Sequence, residues 1–269
     1  MTVGAELVNA IRDTRVPIGR LRFWWLGQQS WAVRTARKTL YLDPYLTPKA
    51  KRNTPPLFAP EELVGADLLF GSHDHTDHID RPSLPGMLAA SPAARLLVPR
   101  AAAATLPDDG VPADRLVPFD DETVWEDDGV RVTAIKAQHE FFEQTDAHGY
   151  PHLQWVIELD GVRIHHAGDT LRYDGMEARL AAWPPCTVSF LPINGRDAER
   201  YARGCMGNMT WQEAADLAGA LAPAVVCPAH YEMFSDNSQD PAPFVAYLAA
   251  KYPDRRAWVG RPGEGMEAP

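Results

Sequence analysis

Six consecutive residues, His73-Asp74-His75-Thr76-Asp77-His78, place three imidazoles and two carboxylates in one short stretch, with Asp80 just beyond. Nitrogen and oxygen donors at this density are the ligand set that borderline divalent metals prefer. In extended backbone successive side chains alternate faces, so His73 and His75 point the same way and can grip one ion, while Asp77 and His78 can reach a second. Immediately upstream, Asp67-Leu68-Leu69-Phe70 reads as a short strand buried on both faces. The chemistry predicted is metal-assisted hydrolysis, run from a loop at the C-terminal end of a strand.

Six residues cannot complete two metal shells, so further ligands must come from other strand ends. His139 follows the apolar run 132–135, Asp169 sits in His166-Ala167-Gly168-Asp169-Thr170, and His230 ends Val225-Val226-Cys227-Pro228-Ala229-His230. Taken singly each is weak, since a histidine after a strand is more often a packed or surface residue and a Gly-Asp pair an ordinary turn. Beside the histidine segment they become a set. Asp43, at the end of an early strand, is a candidate for the outer carboxylate that fixes a ligand imidazole's tautomer, although Asp43-Pro44 reads equally well as a turn.

Substrate contacts are less clearly marked. Asn194-Gly195-Arg196-Asp197 with Arg200 and Arg203 offers guanidinium groups that can clamp a phosphate or carboxylate, against the competing reading of a helical surface turn with local ion pairs. Phe141, Phe142, Trp211, Tyr231 and Phe234 flank these positions as candidate pocket walls, Tyr231 being the one assigned to substrate binding with Asn194, Arg196 and Arg200. His165 and His166 read as packed strand histidines, and His148 and His152 as loop residues near Gly149 and Pro151.

Val3, Leu7, Val8 and Ile11 recur at helical spacing, which predicts an amphipathic N-terminal extension over about 1–16, ended before Pro17. Short β-type runs follow at 21–26, 31–35 and 39–42, with Gly27-Gln28-Gln29-Ser30 as the turn between the first two. Pro82 is placed to open a helix toward Leu88, and residues 96–99, 130–136, 153–159 and 162–166 continue the strand series. In the second half, apolar runs at 188–191 and 224–227 flank Thr210-Trp211-Gln212-Glu213, a capping box for a helix to about Leu221, and Asp240-Pro241 opens the last helix. Strand-rich halves with intervening helices predict an α+β, four-layer αββα sandwich, a single domain over 1–269. A doubly wound sheet is the alternative, weakened because no G-x-G-x-x-G follows an early strand.

A length of 269 residues, 45% of them hydrophobic, allows a substantial core. The formal charge of −10 argues against nucleic acid or an anionic membrane surface and favours a small-molecule partner. Cys186, Cys205 and Cys227 form no CxxC and are odd in number, which with the absence of a signal-like or membrane-spanning stretch points to a cytoplasmic, reducing setting. The oligomeric state, a homo-oligomer included, is left open.

The order H-x-H-x-D-H, then a single His, then Gly-Asp, then a late His resembles the metallo-β-lactamase superfamily, whose fold is the αββα sandwich. That resemblance implies that His73, His75 and His139 hold one divalent ion, that Asp77, His78 and His230 hold another, and that Asp169 bridges them. The ions would be Zn²⁺ or Mn²⁺, with Fe²⁺ also compatible. Asp77 and Asp169 would be the catalytic carboxylates around a bridging hydroxide. Trp25-Leu26-Gly27, Leu42-Asp43-Pro44, Ser72-His73-Asp74-His75 and Pro192-Ile193-Asn194-Gly195-Arg196-Asp197 are similar to the branch containing L-ascorbate-6-phosphate lactonase and N-acyl-phosphatidylethanolamine phospholipase D. The expected activity is hydrolysis of a small, phosphorylated lactone or ester; phosphodiester cleavage of phospholipid or RNA, and a non-catalytic metal-binding protein, are the alternatives. Antibiotic hydrolysis is disfavoured, because that branch generally lacks the bridging Gly-Asp.

Overall fold

The computed structural model describes residues 2–269. Helix α1 (Gly4–Asp13) leads into an antiparallel meander of β1 (Leu21–Gly27), β2 (Ser30–Arg34) and β3 (Thr39–Leu42), after which β4 (Leu68–Phe70), α2 (Leu84–Ala90), β5 (Arg95–Pro99), α3 (Arg100–Ala103) and β6 (Leu116–Phe119) add parallel strands. A second antiparallel series follows: β7 (Val124–Asp127), β8 (Val130–Lys136), β9 (Leu153–Leu159) and β10 (Val162–His166). Then come α4 (Met176–Leu180), β11 (Val188–Pro192), α5 (Ala198–Ala202), α6 (Trp211–Leu221), β12 (Val225–Ala229), α7 (Ala242–Lys251) and β13 (Gly265–Ala268). Seven strands form one sheet in the order β13-β1-β2-β3-β4-β5-β6, and six form the other in the order β12-β11-β10-β9-β8-β7. Two sheets with helices outside them make the expected αββα sandwich.

Strand periodicity explains why the first sheet is covered on both faces. Phe23 and Trp25, Leu40 and Leu42, and Leu68 and Phe70 belong to the core between the sheets, whereas the alternate residues Trp24 and Leu26, Tyr41, and Leu69 belong to a second core on the opposite face. Leu7, Val8 and Ile11 of α1 and Leu84, Met87 and Leu88 of α2 close that outer core. In the inner core Trp31 stacks on Phe190 of the other sheet at 4.1 Å between ring centroids, and Phe70 meets Trp155 edge-on at 5.5 Å.

Several local expectations shift. The helix expected to open at Pro82 begins at Leu84 with Pro85 in its first turn, because residues 80–83 are spent in turns that end the histidine segment. β6, β7 and β13 have no strong sequence signature, being short, and exposed in places or lying at sheet edges. The Thr210 capping box forms as read, with Glu213 N donating to Thr210 Oγ1 (3.2 Å) and Thr210 N to Glu213 Oε2 (2.8 Å). No helix among the described residues is long and apolar enough to cross a membrane.

Direction decides where side chains converge. β10, β11 and β12 are parallel, and β8, two antiparallel neighbours from β10, runs the same way. The loops that follow β8, β10 and β12 therefore leave one end of the sheet, where they meet the loop after β4 and the β1–β2 turn.

Candidate metal centre

His73, His75 and His139 bring one ligand atom each to within 4.8 Å of one another, and so do His73, His78 and Asp169, and Asp77, His78 and His230. Asp169 lies between the groups: its Oδ2 is 3.1 Å from His230 Nε2 and 3.7 Å from His139 Nε2, and its Oδ1 is 3.4 Å from His78 Nε2. The loop supplying Asp169 is set by Gly168, whose φ of +57° is left-handed and whose missing Cβ would stand 2.7 Å from Ser72 Cβ. Asp74 of the histidine segment and Asp80 just beyond it are held by other partners. Asp74 pairs with Arg81 at 2.5 Å, and buried Asp80 accepts from the backbone N of Leu46 and Thr47.

One buried carboxylate fixes two of the imidazoles. Asp43 Oδ2 accepts from His78 Nδ1 (2.6 Å) and from Ser72 Oγ (2.6 Å), and that hydroxyl, its proton already given, accepts from His73 Nδ1 (3.0 Å). Both rings thus keep Nδ1 protonated and turn Nε2 toward the centre. Gly207 O does the same for His139, accepting from Nδ1 at 3.0 Å. His166, buried at the end of β10, has both nitrogens bonded: Gly168 N donates to its Nδ1 and its Nε2 donates to Gln29 O.

The residues present fit a cation. His78 Nε2 and Asp169 Oδ1 are buried, lack any hydrogen-bond partner and face each other at 3.4 Å, the arrangement expected of ligand atoms that need an ion between them. Charge tells the same story. Burial works against charge on His230, yet Asp169 and Asp77 outweigh it and push its pKa up to about 9. His78 is likewise raised against burial by Asp169, Asp77 and Asp43. Asp77 and Asp169 stay ionised despite burial, each held below the usual carboxylate range by His78 and His230. Burial, followed by the charge on His78, keeps His73 and His75 neutral, with His73 Nε2 and His75 Nδ1 2.9 Å apart. Five imidazoles and two ionised carboxylates gathered in one buried cluster are a donor set suited to divalent ions.

A cavity of about 480 Å³ opens onto His75, Asp77, His139, Asp169 and His230, with Lys51, Cys205, Met206, Phe234 and Asn237 on its other walls. The residues expected at the substrate do not line it. Arg196 is held by Glu213 of α6 (2.7 Å) and Arg200 by Asp197 of its own turn (2.6 Å). Asn194 is buried and, with Arg200 Nη1, donates to Asn237 Oδ1, so this pair braces a cavity wall instead. Tyr231 packs on Trp25 at 5.0 Å. Of the five flanking aromatics only Phe234 reaches the cavity; Phe142 packs against Tyr173 and Trp211 against Tyr247.

Two residues were not singled out from sequence. His152, read as a loop residue, is buried with its ring 5.1 Å from His73 and 5.5 Å from His139, and burial lowers its pKa to about 3. Gln28, read as part of a hairpin turn, is buried with its amide against Asp77 and His230. A polar pair, Gln28-Gln29, inside an otherwise apolar hairpin was the available signal for the latter.

Two mixed sheets between helices, with a histidine and aspartate ligand set at one end, define the metallo-β-lactamase class of fold. The family model of the beta-lactamase superfamily domain matches residues 38–231, and the chain belongs to that superfamily. It is 29% identical over 252 residues to a UPF0173 metal-dependent hydrolase of Thermococcus onnurineus, covering 92% of this chain and 99% of that one. A UPF0173 metal-dependent hydrolase of Methanoculleus marisnigri is 27% identical over 252 residues, covering 92% and 96%. Among solved structures, the metallo hydrolase Igni18 of Ignicoccus hospitalis superposes with a TM-score of 0.72 at 22% identity, covering 92% of this chain and 98% of that one. An isothiocyanate hydrolase from Delia radicum gut bacteria gives 0.69 at 17%, covering 91% and 98%. These likenesses show a shared fold.

Proposed function

We propose that this chain, a metal-dependent hydrolase of the metallo-β-lactamase fold, holds two divalent ions and cleaves a small anionic ester or lactone. The observation that carries the reading is the ligand geometry, in which Asp169 lies between a three-histidine group and an Asp77, His78, His230 group, with His78 Nε2 and Asp169 Oδ1 buried and without a hydrogen-bond partner. When bound, such ions supply Lewis acidity and bring the pKa of a water toward about 7. The chain's own residues supply position. Asp43 and Ser72 hold His73 and His78 in one tautomer, and Gly207 holds His139. Asp77, ionised and opening onto the cavity, is placed to accept a hydrogen bond from a water there and orient it toward the substrate carbonyl. Lys51 is the one basic side chain other than histidine on the cavity wall and has no ion-pair partner among the described residues, so it is the group assigned to the substrate's negative charge. The volume suits a small molecule, within the roughly 300–1,000 Å³ usual for such sites.

The test is a metal-reconstituted screen of phosphorylated sugar lactones, simple esters and phosphodiesters. Expected are two equivalents of Zn²⁺ or Mn²⁺ per chain, and turnover of a lactone or ester that disappears in His75→Ala and Asp169→Ala. Protein that binds neither ion, or turnover confined to phosphodiesters, would overturn the reading.

A further inference from the structure

Gln28 occupies a place in the centre that no turn residue needs. Its backbone is fixed in the left-handed region at φ +52° by three bonds: N donates to Glu232 Oε1 (2.8 Å), and O accepts from Trp25 Nε1 (3.0 Å) and His230 N (3.0 Å). A left-handed glutamine costs of order 1 kcal/mol, which marks an imposed position. The side chain so delivered ends 2.8 Å from Asp77 Oδ2 and 3.0 Å from His230 Nε2, and those two atoms are 3.5 Å apart. Ligands bound to one ion at about 2.1 Å stand about 3.0 Å apart in an octahedron and about 3.4 Å apart in a tetrahedron, so the three side chains are spaced as neighbours in one coordination shell.

The amide's other end points to the same conclusion. Gln28 is almost wholly buried and its Oε1 has no hydrogen-bond partner, an acceptor left unsatisfied at a cost of about 1–3 kcal/mol. A half-turn about the terminal torsion exchanges the two amide ends, which are near-isosteric. The carbonyl oxygen then lies beside Asp77 Oδ2 and His230 Nε2, so that three donor atoms of different side chains converge at the spacing of one coordination shell. We propose that Gln28 is a further ligand of the second ion, contributing its amide oxygen beside Asp77, His78 and His230. The proposal rests on the two-ion reading of the site. It adds a neutral oxygen to that shell, from the β1–β2 turn of the opposite sheet, so that the second site joins both halves of the sandwich.

Metal titration of the full chain followed by calorimetry, with Co²⁺ as a spectroscopic probe, separates the two claims. Wild type taking up two equivalents establishes the two-ion reading; fewer than two overturns that reading and this proposal together. With wild type at two, Gln28→Leu is expected to keep the first equivalent, to bind the second at least tenfold more weakly, and to change the visible band of the second Co²⁺ only. Gln28→Glu, which offers an oxygen and no N–H, is expected to bind the second ion more tightly than Gln28→Leu. An amide that acts only as an N–H donor to Asp77 predicts the reverse order, since a glutamate would repel that carboxylate. Gln28→Glu weaker than Gln28→Leu, or a second equivalent unchanged in Gln28→Leu, would overturn the proposal. Circular dichroism of each metal-free variant verifies that the fold is retained.

Discussion

Asp43 has no place in the cavity, yet two of the proposed ligand histidines depend on it. It accepts from His78 Nδ1 directly and from His73 through Ser72 Oγ, and Ser72 N donates to its second oxygen at 2.8 Å. Asn in its place keeps the volume but presents an NH₂ toward one of these donors, which breaks the relay and frees one ring to adopt the wrong tautomer. Asp43→Asn is therefore expected to lower metal affinity by about 10–100-fold, the usual effect of removing such a partner. Competition against a chelating dye measures it, and affinity within twofold of wild type would contradict the relay. At the cavity wall Lys51 makes a different claim. It is exposed, so its contribution is screened to about 1 kcal/mol or less, roughly fivefold in binding. Lys51→Ala is expected to raise KM for an anionic substrate by up to about fivefold with kcat unchanged, and to leave a neutral ester unaffected. Equal effects on both substrates would remove Lys51 from substrate recognition.

Elements hold these residues only where their ends allow it. Gly168 links β10 to Asp169 in the left-handed region, and a Cβ there would press on Ser72, the residue that relays between Asp43 and His73. Gly168→Ala is expected to destabilise the chain by about 1–3 kcal/mol and to weaken metal binding as well, since the shift moves Asp169 and Ser72 together. Thr210→Ala, which removes the α6 cap and no hydrogen bond to the histidine and aspartate cluster, serves as the contrast: about 1 kcal/mol of stability with metal affinity unchanged. Thermal melts and metal titrations of both variants separate the two mechanisms. Much of this arrangement was legible because it is local. The apolar run before His73 marked a strand end, and Thr210 with Glu213 marked a helix start. Gln28 and His152 were not legible, because their roles arise from contacts across about fifty to two hundred positions of sequence, with Asp77 and His230 for one and His73 for the other. For Arg196 and Arg200 the sequence carried two readings, an anion clamp and a surface turn with local ion pairs, and in the structure each is paired with an acid, Glu213 and Asp197.

At the scale of the molecule, the centre sits at one end of the sandwich while a separate buried histidine lies under the helices of the second sheet. His165 is wholly buried between β9, β11 and the end of α6, with Nδ1 bonded to Ser189 Oγ (2.8 Å) and Nε2 to Gln154 Oε1 (3.2 Å). It lies beside an apolar cavity of about 190 Å³ lined by Leu180, Trp183 and Leu221, with no acid near enough to support a charge. Burial, and then the neighbouring His166, lower its pKa to about 3 from an ordinary 6.5. Above pH 6.5 the ring is neutral in both folded and unfolded chains and stability does not depend on it. As pH falls below 6.5 the unfolded chain takes up a proton that the folded chain refuses, so stability is lost progressively down to about pH 3. The slope from one such group is about 1.4 kcal/mol per pH unit. His165→Gln keeps a polar side chain at the position but cannot titrate, so its denaturant stability between pH 6 and 4 is expected to fall less steeply than that of wild type by about that amount. Equal slopes in the two proteins would mean that His165 is protonated in the folded state, and that the cavity beside it admits enough water to solvate the charge.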